Sequence, residues 1–78
     1  MRMEAAGIVK NQGGVTEGDL EMMLMGPIED EIKSEGQLWE FHSCFQNILN
    51  NLIKTGVVVT CHEKLSEDGR YLLVGPNY

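Results

Sequence analysis

The sequence of 78 residues predicts one small α+β domain in which helices come first and a two-stranded antiparallel hairpin comes last. Three observations predict it. Leu38, Phe41, Phe45, Ile48, Leu49, Leu52 and Ile53 recur at steps of three and four, the spacing of one buried helix face. The β-branched run Val57 to Thr60 and the apolar run Tyr71 to Val74 read as two strands. Gly13-Gly14, Gly26-Pro27 and Thr55-Gly56 are stop signals that cut the chain into helix-sized pieces.

Each element has a local cause. Ala5, Ala6, Ile8 and Val9 share a face of a first helix over Met3 to Asn11, and Gly13-Gly14 provides its left-handed exit. Val15 is placed for a short strand. The Thr16 hydroxyl can cap a second helix, with Asp19 answering in its first turn, and that helix should bury Leu20, Met23 and Leu24 before Gly26-Pro27 stops it near Met25. Pro27 suits the first turn of a short further helix, where Glu29, Asp30 and Glu31 meet the positive end of the dipole and Ile28 and Ile32 turn inward. Ser34-Glu35-Gly36-Gln37 has the Ser-x-x-Gln capping pattern, so the long helix begins there and ends at Gly56 with Lys54 in its last turn. The eight polar residues His62 to Gly69 read as a projecting loop between the strands, and Asn77 and Tyr78 as a mobile tail after Gly75-Pro76.

Composition bounds the function. Hydrophobic residues at 42% and charged ones at 23% suit a packed soluble domain and exclude wholesale disorder. There is no apolar run near the roughly 20 residues of a membrane helix, and the first residues do not lead into a signal-peptide core. The expected location is therefore the cytoplasm, or the nucleus in a eukaryote, with Cys44 and Cys61 as reduced, small core residues. The formal net charge of -6 is unevenly placed. From Glu17 to Glu40 eight carboxylates meet Lys33 alone, a local net of -7, whereas the half beyond Glu40 is neutral.

The order helix, short strand, helix, helix, strand, wing, strand resembles the winged helix-turn-helix superfamily over nearly the whole chain. The resemblance rests on element order, without signature residues, and implies a DNA-binding transcriptional regulator whose long helix reads DNA and whose wing presents Lys64 and Arg70. The acidic turn between Met25 and Gln37 departs from the tight turn usual before a recognition helix. With about three available cations per chain, DNA binding by a monomer should be weak and salt-sensitive, and a homodimer would double them.

The polar face of the long helix carries the candidate DNA contacts. Ser43, Asn47, Asn50 and Lys54 are spaced by four, three and four residues and form one stripe, with Gln46 and Asn51 beside it. Asn is a poor helix former, whereas Asn and Gln can bond adenine edges bidentately, so a solvated face and a binding face both remain open. The alternative function is an acidic protein-binding module, an adaptor, subunit or inhibitor of a nucleic-acid-binding partner, using Glu29, Asp30, Glu31, Glu35 and Trp39. Trp39 also reads as a plug between helices. His42, Cys44, Cys61 and His62 have zinc-ligand chemistry, but positions two apart on a helix diverge and adjacent strand residues face opposite ways, so no metal is expected. No catalytic constellation, phosphate loop or cofactor motif is present, and neither enzyme activity nor a small-molecule substrate is expected.

Overall fold

In the computed structural model, helix α1 spans Arg2–Gln12, β1 Val15–Thr16, α2 Glu17–Met25, a 3₁₀ helix Gly26–Glu31, α3 Glu35–Lys54, β2 Val58–Ser66 and β3 Gly69–Val74. It describes residues 1–78, leaving aside the side chains of residues 64–66. The fold is α+β: three helices precede an antiparallel hairpin, and β1 joins that hairpin as a third strand in the order β1-β3-β2. Val15 faces Leu72 and Val58 faces Val74, so the middle strand β3 is paired on both sides.

The capping signals act as the sequence predicts. The Thr16 hydroxyl accepts from the Asp19 amide at 3.2 Å, and Ser34 Oγ accepts from the Gln37 amide at 3.2 Å. The Gln37 side chain returns to accept from the Lys33 amide at 2.7 Å, one residue before the position a capping box uses. Both α1 and α3 end in paired six-to-one and five-to-two backbone bonds: Gly14 to Val9 and Gly13 to Lys10, then Val57 to Leu52 and Gly56 to Ile53. These bonds require a left-handed residue, and Gly13 (φ 67°) and Gly56 (φ 77°) supply it. The acidic turn is a 3₁₀ helix started by Pro27, with Ile28 and Ile32 packed against the core.

The core gathers between α3 and the sheet. Phe45, Leu49 and Leu52 of α3 meet Val9 of α1, Leu20 of α2, Val58 of β2 and Leu72 of β3, all of them fully buried. Burial of this face, at about 25 cal/mol per Å2 of apolar surface, holds α3 in place and fixes which face it turns outward. No helix is long and apolar enough to cross a membrane among the described residues.

Four expectations need correction. Met23 is 42% exposed, because α2 presents only Leu20 and Leu24 to the core. Cys44 is exposed on α3, on the solvent side of the Phe41 and Phe45 seam. The segment from His62 to Gly69 is not a projecting loop, since β2 runs to Ser66, Gly69 pairs with it, and Glu67-Asp68 makes the turn. Between the Cys61–Tyr71 and Ser66–Gly69 pairs, β2 advances five residues and β3 two, so the extra length is absorbed as a strand irregularity. The end of the chain is tied down as well: Asn77 Nδ2 donates to the Thr55 carbonyl at 2.7 Å, and the Lys10 ammonium lies 4.9 Å from the centre of the Tyr78 ring.

Candidate functional site

The outward face of α3 and the elements beside it hold the sequence-predicted site residues. Core burial of Phe41, Phe45, Leu49 and Leu52 turns the opposite stripe to solvent, and Ser43, Asn47, Asn50, Asn51 and Lys54 are all exposed. Among the described residues, the side chains of Asn47 and Asn50 make no hydrogen bond within the molecule, so their donors and acceptors face water. Lys64 lies outside the described side chains.

Gln46 and Arg70 are held inside the molecule. Arg70 Nε donates to Glu17 Oε2 and its Nη2 to Glu17 Oε1, each at 3.1 Å, a two-point clamp. Gln46 Nε2 donates to the same Oε1 at 2.6 Å, and the Arg70 amide reaches Oε2 at 3.4 Å. Glu17 therefore joins the first turn of α2, the middle of α3 and the start of β3. The Gly18 amide completes the tie by donating to the Asp68 carbonyl at 2.8 Å. Of the cations assigned to DNA, Arg70 thus has its guanidinium shared with a carboxylate, while Lys54 stands exposed.

Burial pushes the Glu17 carboxyl pKa up, but the bonds from Arg70 and Gln46 and the guanidinium charge outweigh it and hold the pKa below its ordinary 4.5. A folded-state pKa below the unfolded one gives stability that is complete above pH 4.5 and is lost as pH falls through the folded value. Replacing Glu17 by Gln should therefore cost about 1 kcal/mol near neutral pH, a figure reduced because Arg70 is partly exposed. Urea midpoints of both proteins should converge below pH 4.5. A gap of constant size down to about pH 2 would refute the assignment.

A second feature occupies the N-terminal half of α3. Trp39 is 68% exposed and Leu38 43%, so Trp39 is not the interhelical plug the sequence suggested. It lies four residues before Ser43 and continues the outward stripe. Its ring meets the His42 imidazole edge to face at 5.9 Å, and His42 Nδ1 lies 2.9 Å and 3.1 Å from the two Glu21 carboxylate oxygens. These residues and Leu38 line a shallow cleft of about 240 Å3. Glu35 stands exposed one turn before Trp39, and Glu29, Asp30 and Glu31 are exposed on the 3₁₀ helix.

The four residues with zinc chemistry lie apart in role. His42 faces Glu21, Cys44 is exposed on α3, Cys61 is half-buried on β2, and His62 Nε2 lies 3.3 Å from Thr60 Oγ1. Among the described residues, no three His, Cys, Asp or Glu side chains converge on one point. Compared with protein-family models, curated proteins and solved structures, the chain matches none.

Proposed function

We propose that this chain is a winged-helix DNA-binding protein of the transcriptional-regulator kind, acting as a dimer, with α3 as the reading helix. The observation that carries the reading is the exposed stripe Ser43, Asn47, Asn50 and Lys54 on a core-anchored helix that leads into a hairpin with strand order β1-β3-β2. The element order resembles that of winged-helix domains apart from the acidic 3₁₀ turn before α3, and the amide side chains have the donor and acceptor pairs that suit adenine edges in a major groove. Arg70 serves the fold, which leaves Lys54 and Lys64 as the cations for phosphate on this half of the molecule. Neutralising about two phosphates per protomer gives a log-log salt slope of roughly -2, and about twice that for a dimer, which is the physical case for two copies on adjacent half-sites.

Fluorescence anisotropy of a labelled random-sequence duplex, titrated with protein at several salt concentrations, tests the reading. Binding should weaken linearly with log salt, and Lys54→Glu should weaken it about tenfold and flatten the slope. Absence of binding at low salt, at protein concentrations where the dimer is present, overturns it.

A further inference from the structure

We propose that the cleft between α2 and α3, built on Trp39, is a docking site for a protein segment that presents an arginine or lysine beside an apolar side chain. The inference does not rest on the DNA reading, although Trp39 continues the outward stripe of α3 at its N-terminal end. Trp39 is the one tryptophan of the chain, and the fold leaves 68% of it in water together with Leu38 at 43%. Tryptophan is strongly buried on average and is enriched among residues that dominate protein interfaces. Here the ring is already oriented, because His42 packs against it edge to face and is itself held by Glu21. A partner that covers it meets a prepared surface and loses little side-chain freedom there.

Size and charge choose the occupant. A cleft of about 240 Å3 lined by Glu21, Leu38, Trp39 and His42 is smaller than the sites that take whole small ligands, and it suits single side chains of a docked segment. Glu35 precedes Trp39 by one helical turn and is exposed on the same face of the helix, while Glu21 lines the cleft wall. A cation over the indole face therefore gains both the ring quadrupole and nearby carboxylates. A second copy is the poorer occupant, because a two-fold pairing through this face sets Glu21 and Glu35 against themselves. Nucleic acid is poorer still, since Glu21 and Glu35 would face its phosphates.

The experiment is a selection of phage-displayed random 12-residue peptides against the full-length protein, followed by calorimetric titration with the synthetic consensus peptide. Enriched peptides should carry Lys or Arg next to an aliphatic or aromatic residue and bind more weakly as salt rises. Trp39→Ala should weaken binding at least about tenfold, and Glu35→Gln several-fold. Tryptophan emission should shift to the blue when the peptide covers Trp39, the one tryptophan of the chain. Because Trp39 is exposed, far-UV circular dichroism of Trp39→Ala should match the parent, and Trp39→Phe, which keeps a ring, should retain part of the affinity. An uncharged or acidic consensus, or undiminished binding by Trp39→Ala, overturns the proposal. So does self-association abolished by Trp39→Ala, which gives the face to a second copy, or duplex-DNA binding abolished by the same substitution, which gives it to nucleic acid.

Discussion

Phe45→Ala is expected to remove a large share of the folding free energy of this chain. Phe45 is the largest fully buried side chain, it lies in mid-α3, and the core cluster joins it to residues of α1, α2 and both hairpin strands. Truncating a buried phenylalanine costs about 3–5 kcal/mol in transfer and cavity terms. A domain of 78 residues has roughly 4–12 kcal/mol in total, so the loss is comparable to the whole at the lower end. Urea titration followed by circular dichroism should show a collapsed midpoint. Leu38→Ala, at a position 43% exposed on the same helix, is the internal control and should cost less than about 1 kcal/mol. A Phe45→Ala protein as stable as that control would mean that α3 is not the keystone of the core.

The next largest effect is expected at Gly75→Ala. Gly75 is buried where the chain leaves β3 and passes Gly56, and a Cβ there would collide with the Gly56 carbonyl oxygen. The obstruction is backbone, so no rotamer change relieves it. The same crossing carries the bonds from the Gly75 amide to the Val57 carbonyl (2.8 Å) and from the Asn77 amide to the Gly56 carbonyl (3.0 Å). Any shift that makes room for a methyl group stretches both, and a loss of about 2–3 kcal/mol is expected, read as a lowered melting temperature. Gly36→Ala gives the opposite sign. The added methyl would meet only Ser34 Oγ at 3.8 Å, in the first turn of α3, and should stabilise by up to about 1 kcal/mol. Equal melting temperatures for Gly75→Ala and the parent would contradict the crossing geometry.

Local signals account for what was legible in the sequence. Seven apolar positions at steps of three and four located α3, and Thr16, Ser34, Gly13 and Gly56 marked helix ends because caps act over one turn. The hairpin tip was not legible. His62-Glu63-Lys64 is polar and reads as loop, and its strand state depends on the ladder to β3 and on the Gly18–Asp68 bond, which join residues far apart in sequence. Distance along the chain also hid the roles of Gln46 and Arg70, whose shared acceptor Glu17 lies 29 and 53 residues away. The exposure of Trp39 was within reach: it stands four residues before Ser43, and the stripe drawn through Asn47 and Asn50 includes it.

The tie between the hairpin tip and α2 bears on how a partner could be met. A free eight-residue loop would have to be ordered at the moment of contact, at a cost of about 1–2 kcal/mol for each residue fixed. Here the Glu17–Arg70 clamp and the Gly18–Asp68 bond impose that order during folding. Encounter then needs no rearrangement of this edge, so association through it should proceed in one kinetic step at a rate set by orientation and charge. The same ties at Asp68 and Arg70 narrow the range of shapes that this edge could fit.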